Sequence, residues 1–182
     1  MSSDEDFSPE AVTVLCAALN PVAPPASVWA AIEESIAQLD RFEPWVARLA
    51  TLLYTSVPRA RAYLQDIDSP SGWGPGPGPR SYAYPLIGGA ETASAIVGFI
   101  KLEAGSTFPT HTHHGDEIVL VLQGTLRTSD GAMIAAGEEA PMLAGSTHSV
   151  SAEPGQDAIF FVRILGEVEI GGQRIGPDDF RL

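Results

Sequence analysis

The chain has 182 residues, 45% of them apolar, and its 23 acidic and 10 basic residues give a net charge of −13. That length allows one well-buried domain, or a small domain with a helical appendage. The acid excess runs through both halves of the chain, so there is no basic face for nucleic acid or for an anionic membrane surface.

The opening segment MSSDEDFSPE has neither a positive n-region nor an apolar h-region, so a signal peptide is not expected. The apolar runs fall short of bilayer length, and a cytoplasmic protein is expected. Residues 1–7 are polar and read as disordered. Ser8-Pro9-Glu10 carries a helix start, with a hydroxyl cap, a first-turn proline and an acid at the positive end of the dipole. Val12, Leu15, Cys16 and Leu19 then recur at helical spacing. Cys16 is the single cysteine and reads as a small buried residue, since it closes no internal disulfide and builds no cysteine-rich zinc site.

After a proline-rich connector (Asn20 to Ser27), three more stripes follow. Val28, Ile32, Ile36 and Leu39 mark one helix. Trp45, Val46, Leu49, Leu52 and Leu53, opened by Pro44, mark the next. Val57, Ala60, Leu64 and Ile67 mark a short last one. Residues 1–68 thus read as a helical N-terminal region whose stripes bury against one another and the following domain, or dock on a partner protein. At 69–80 the composition changes to alternating glycine and proline, which fits neither a helix nor a central strand and reads as a domain-boundary linker. Trp73 within it would pin the linker to a neighbouring surface.

From residue 81 to 182 the pattern is short β segments with turn signals between them: Ala95–Leu102, Glu117–Gln123, Asp157–Leu165 and a short last strand at Val168–Ile170. Many short strands at even spacing imply a sandwich or barrel, so the fold class is mainly β with an N-terminal α-helical segment.

All four histidines lie between positions 111 and 148. On a strand, side chains alternate faces, so His111 and His113 point one way and His114 the other. Gly115-Asp116 permits a bend that returns Glu117 to the first face. His148, after Gly145, supplies a fourth group from a neighbouring strand. Three imidazoles and a carboxylate suit a divalent first-row ion (zinc, iron, manganese or nickel) and leave positions open, as in a reactive or sensing site rather than a closed structural one. Asp116 is a candidate partner for one of the imidazoles. Val119 and Val121 share the face of Glu117, and Val150 that of His148; all three either wall the pocket or form ordinary barrel core. Lys101, the only lysine, shares a face with Phe99 on the strand 95–102. The two are candidate pocket residues, the lysine as a cation for an anionic ligand, unless it reaches solvent at the strand end. Because imidazoles bind metal only when neutral, metal affinity is expected to fall below about pH 6.

Two spaced motifs carry a resemblance. Gly105, five residues, His111-Thr112-His113, three residues, Glu117, six residues and Gly124 reproduce the first cupin motif. Gly137, five residues, Leu143-Ala144-Gly145, two residues, His148, three residues and Ala152 resemble the second, with Leu143 where a proline and Ala152 where an asparagine is usual. The resemblance implies a double-stranded β-helix (cupin, or jelly-roll barrel) over 81–182, paired as a homodimer. The helical residues, the Trp-Gly-Pro linker and this His-x-His form together look like the ChrR-type anti-sigma factors. In that family the cupin binds zinc or another divalent ion and is thought to sense oxidative stress. The family's zinc-dependent anti-sigma module needs histidine and a Cys-x-x-Cys pair, which this chain lacks before position 111, so a sigma-factor partner loses its best support. The expected function is a metal-bound regulatory or small-molecule-sensing module. The alternatives are an Fe(II)-type dioxygenase acting on a small organic substrate and, more weakly, a sugar-type isomerase, for which no acid–base pair is evident.

Overall fold

The structure, a computed structural model, describes residues 23–30, 32 and 41–180. The stripe around Cys16, together with Ile36 and Leu39, lies outside the described residues. The chain forms two compact units, Met1–Leu39 and Asp40–Leu182. In the first, residues 26–30 and 32 are helical.

The second unit begins with a 3-10 turn at Glu43–Trp45 that runs into α1 (Val46–Leu52), followed by α2 (Val57–Gln65). Pro44 in the turn and Pro58 in the first turn of α2 start these helices without losing a hydrogen bond. Twelve strands follow: β1 (Gly74–Pro75), β2 (Ser81–Pro85), β3 (Ala95–Leu102), β4 (Thr107–His113), β5 (Glu117–Gln123), β6 (Thr125–Thr128), β7 (Met133–Ala135), β8 (Glu139–Met142), β9 (Thr147–Ala152), β10 (Ala158–Leu165), β11 (Val168–Ile170) and β12 (Gln173–Ile175), and then a short helix α3 (Pro177–Phe180). They make two six-stranded sheets, ordered β1-β2-β3-β10-β5-β8 and β12-β11-β4-β9-β6-β7, with every pairing antiparallel. This is the mainly β, two-sheet architecture expected from the sequence. No described helix is long and apolar enough to cross a membrane.

The first sheet is apolar on both faces, and that decides where the helices go. Ile100 and Leu102 of β3, Val119 and Val121 of β5, and Phe160 and Val162 of β10 fill the space between the sheets. The intervening residues, Val97, Phe99, Leu120, Leu122, Ile159 and Phe161, form a second core on the outside, closed by Leu49, Leu53, Ala60 and Leu64 of the helical segment. The stripes of α1 and α2 are thereby spent on each other and on the sheet. Arg163, on the outer face of β10, donates to the carbonyl of Leu52 at 3.0 Å and so satisfies an end of α1. Arg48 donates to both carboxylate oxygens of Glu139 and ties α1 to β8.

The Gly/Pro stretch 69–80 consequently falls inside the second unit, whose limit is at Leu39/Asp40. A composition change does not divide the chain here because helices on one side of it cover a sheet on the other. Within the stretch, Trp73 donates its indole N–H to the carbonyl of Ile67 at 2.8 Å and meets Tyr84 edge-on, with ring centroids 5.7 Å apart.

Leu49 is fully buried between helix and sheet. Leu49→Ala is expected to cost about 2–5 kcal/mol in urea unfolding. Far-UV circular dichroism and tryptophan fluorescence should report one coincident transition, since helices and barrel share a core. Separate transitions, or a loss below about 1 kcal/mol, would show that the helices are not part of the barrel's folding unit.

Candidate metal centre

β4 presents His111 and His113 to the space between the sheets, 5% and 0% exposed. The strand carries a bulge between Phe108 and His111, with Pro109 inside it. Proline has no N–H to give a ladder, so an irregular position tolerates it. The bulge also turns Phe108 to the same side as His111, their ring centroids 5.1 Å apart.

The bend after His113 depends on Gly115, where a Cβ would lie 1.6 Å from the carbonyl oxygen of Leu165. Only a residue without a side chain lets the chain pass this close. Asp116 holds the bend through its side chain, which accepts from the N–H of Ala144 at 2.9 Å, and through its carbonyl, which accepts from Leu165 N–H at 2.9 Å. Asp116 therefore braces the loop that leads to His148 rather than partnering an imidazole. Glu117 opens β5 and is 6% exposed. His148 lies directly across from His111 on β9. The backbone of His113 is clamped to the same loop, donating to Ser146 O at 3.0 Å and accepting from Gly145 N at 2.7 Å.

The ligand atoms of His111, His113, Glu117 and His148 all lie within 4.8 Å of one another. Donors bound to one ion at about 2.0–2.2 Å sit at most about 4.4 Å apart, so the four groups are nearly at coordination distance. His111 Nδ1 lies 2.8 Å from Pro109 O. A carbonyl only accepts, so this nitrogen carries the proton and Nε2 is left as the donor to a metal. His113 Nε2 lies 3.3 Å from Glu117 Oε2 and 3.5 Å from His148 Nε2, while its buried Nδ1 has no hydrogen-bond partner. The polar partners within reach of this ring are thus inside the cluster. The donor set, its spacing and this under-satisfied ring fit a divalent ion.

Burial pushes His111 down to about 4, reinforced by the neighbouring His148 and opposed by the Pro109 carbonyl. Burial, helped by the adjacent imidazoles, pushes His113 to about 4 as well, and it lowers His148 against the opposing pull of Asp130. The same burial raises Glu117 to about 8. Without a cation the cluster is therefore uncharged at neutral pH, and its pH window differs from the imidazole-controlled one expected from sequence. Binding a cation at neutral pH requires Glu117, not the imidazoles, to lose a proton. Both kinds of group tie the stability of the metal-free fold to pH. The contribution of Glu117 is present below its unfolded value of about 4.3 and is lost as pH rises through about 8; that of the imidazoles is present above about 6.5 and is lost as pH falls through about 4.

A cavity of about 550 Å³ adjoins the cluster, lined by His111, Glu117 and His148 and otherwise mostly by aliphatic and aromatic side chains. Val119 and Val150 line it. Val121 is buried in the same core without lining the cavity. Phe99 and Lys101 correct the pocket expected from sequence, because both lie on the outer face of β3. Phe99 belongs to the core under the helices, and Lys101 Nζ sits 4.8 Å from the Tyr82 ring centroid and 5.4 Å from that of Trp73. His114 faces away from the cluster, with Nε2 3.3 Å from Glu169 Oε2. Sequence reasoning missed Phe108, because three residues from His111 reads as the opposite face unless a bulge intervenes. Pro109 was the available signal. It also missed Ile96 and Ile164, whose place in the wall depends on strand pairing, and Phe180, which α3 brings against Gly98 of β3.

Apparent zinc affinity, measured by competition with a chromophoric chelator, is expected to weaken about tenfold per pH unit from about pH 8 to about pH 6 as Glu117 holds its proton. Glu117→Gln is expected to bind more weakly overall and with little pH dependence across that range. A wild-type affinity that stays flat there would contradict the assignment.

Residues 70–167 match the family described as the ChrR cupin-like domain. No match was found among curated proteins. Among solved structures, the chain resembles an acetylacetone dioxygenase from Acinetobacter johnsonii, at 21% identity and a TM-score of 0.53 over 62% of this chain and 85% of that one. It resembles the crystal structure of Rhodobacter sphaeroides SigE in complex with the anti-sigma ChrR at 24% identity and a TM-score of 0.53, over 85% of this chain and 75% of that one. An RmlC-like cupin protein from Ralstonia eutropha is similar at 21% identity and a TM-score of 0.51, over 59% of this chain and 74% of that one. At these identities the structural likeness speaks for the fold, while the family match spans more than half of the sequence. The chain belongs to the ChrR cupin-like family, within the cupin superfamily.

Proposed function

We propose that this chain is a metal-dependent regulatory module of the ChrR-like kind, which holds one divalent ion on His111, His113, Glu117 and His148 and senses a small organic molecule or an oxidant at the ion's open positions. The observation that carries this reading is an apolar cavity of about 550 Å³ whose polar wall contains three of the four candidate ligands. A structural site would be closed by its ligands, whereas this one faces a chamber large enough for an organic molecule.

A divalent ion bound there would supply a Lewis-acid centre with exchangeable positions. The protein supplies the rest. Pro109 fixes the tautomer of His111, Glu117 releases its proton as it takes up the cation, and the aliphatic walls keep bulk water from competing for the open positions. A sigma factor is the partner class suggested by the family. Because α1 and α2 bury their apolar stripes on the barrel, such a partner would have to use other surfaces of the chain.

The second reading, an Fe(II)-type dioxygenase acting on a small organic substrate, is favoured by the same chamber, since an open ion beside an apolar pocket also suits oxygen chemistry. Elemental analysis of the purified protein is expected to find one equivalent of a divalent metal. His111→Ala should lose at least about tenfold in affinity. Zinc in the native protein, with no oxygen uptake when a β-diketone is added, supports the regulatory reading. Tight Fe(II) loading with oxygen consumption overturns it in favour of the enzyme, and metal-free protein that cannot be loaded overturns both.

A further inference from the structure

The cavity is bounded on one side by the edges of the two sheets. Gly74 to Pro77, at and beside β1, line it from the edge of the first sheet, and Ile175, Asp179 and Phe180, at β12 and α3, line it from the edge of the second. Phe180 reaches across this gap. It packs against both the core between the sheets and the small cluster of Ile96, Ile164 and Val168 beside the metal end. Its seat is a notch in β3, where a Cβ at Gly98 would lie 2.6 Å from Phe180 Cε1. A glycine in the middle of an otherwise apolar strand weakens that strand, and close approach by another group is a usual reason for it. Here the approaching group is an aromatic ring carried on one turn of helix. The turn is itself held by short-range bonds, Gly176 N to Asp179 Oδ2 at 2.8 Å and Phe180 N to Gly176 O at 3.3 Å.

We propose that Phe180 is the removable plug of the metal chamber, and that the molecule it admits has a head that binds the cation and an uncharged, apolar body. The class of ligand follows from the lining. Apart from the site histidines, the ionisable side chains among the described lining residues are Glu117 and Asp179, both acids, with no lysine or arginine to hold an anionic body. Asp179 already accepts the Gly176 N–H. The aliphatic and aromatic walls reward apolar surface. Phe180 stands at the gap between the sheet edges, so widening that mouth requires only that one ring leave its notch and one helical turn swing aside, and the barrel itself can stay rigid.

This proposal rests on the chamber reading above, but it is tested by a probe that needs no metal. The neutral fluorophore N-phenyl-1-naphthylamine is mixed with the full-length protein in stopped flow. Saturable one-to-one binding is expected. Phe180→Ala is expected to speed association about tenfold, because the plugged state loses the burial of the ring. Phe180→Trp is expected to slow it. Ile175→Trp, which fills the chamber beside the gap, is expected to weaken probe binding whatever it does to the rate. Equal association rates in wild type, Phe180→Ala and Phe180→Trp would overturn the plug, as would failure of both wild type and Phe180→Ala to bind the probe. If the protein takes up no metal yet these rates separate as stated, the plug stands and the metal reading fails. If metal binds but the rates do not separate, the reverse holds.

Discussion

Three buried polar side chains and a half-buried fourth, His148, share the space between the sheets, and that constraint organises the molecule. His113 is fully buried, and Glu117 and His111 are nearly so. In such surroundings a charge is costly unless it is paired, so the imidazoles stay neutral and the carboxyl keeps its proton. His111, His113, His148 and Glu117 would hold a divalent cation there, each nitrogen offering its lone pair and the carboxyl giving up its proton. Ion uptake, proton release and stability of the fold would then be one linked equilibrium.

The scaffold meets this demand by bringing together ligands from three strands across two sheets. The β4–β9 pairing sets His111 opposite His148. The tight bend at Gly115 carries the chain from the second sheet to the first, so that Glu117 faces His111 and His113, which it follows in sequence. Asp116 and the Gly145 loop lock those two turns together. The outer helices serve the same end less directly. By covering the outer face of β3, β5 and β10, they let strands that are apolar on both sides stay rigid, and a rigid wall holds donor atoms close to coordination distance even before an ion arrives.

The four candidate ligands were legible because their arrangement needs only strand alternation and two spaced motifs. The pocket walls were harder. β3 carries apolar residues at both parities, so alternation gives no inside and outside. The pairing does: Ile96 lies across from Ile164, which lies across from Glu117, and this places the even-numbered residues of β3 on the metal side and Phe99 and Lys101 on the other. The bulge at Pro109 likewise changed the face of Phe108. The helical segment from Asp40 onward was recognisable as helix, but its membership of the barrel unit was not, since nothing local says that an outer sheet face lacks a cover. Protonation states were out of reach for the same reason. They depend on burial, which is a property of the assembled fold.

The coordination shell of the metal-loaded protein can be read by X-ray absorption at the metal edge. Nitrogen and oxygen donors at about 2.0–2.2 Å, with outer-shell scattering from three imidazole rings, are expected, reduced to two rings in His148→Ala. A shell containing sulfur, or an all-oxygen shell without imidazole scattering, would contradict a site of three histidines and a glutamate.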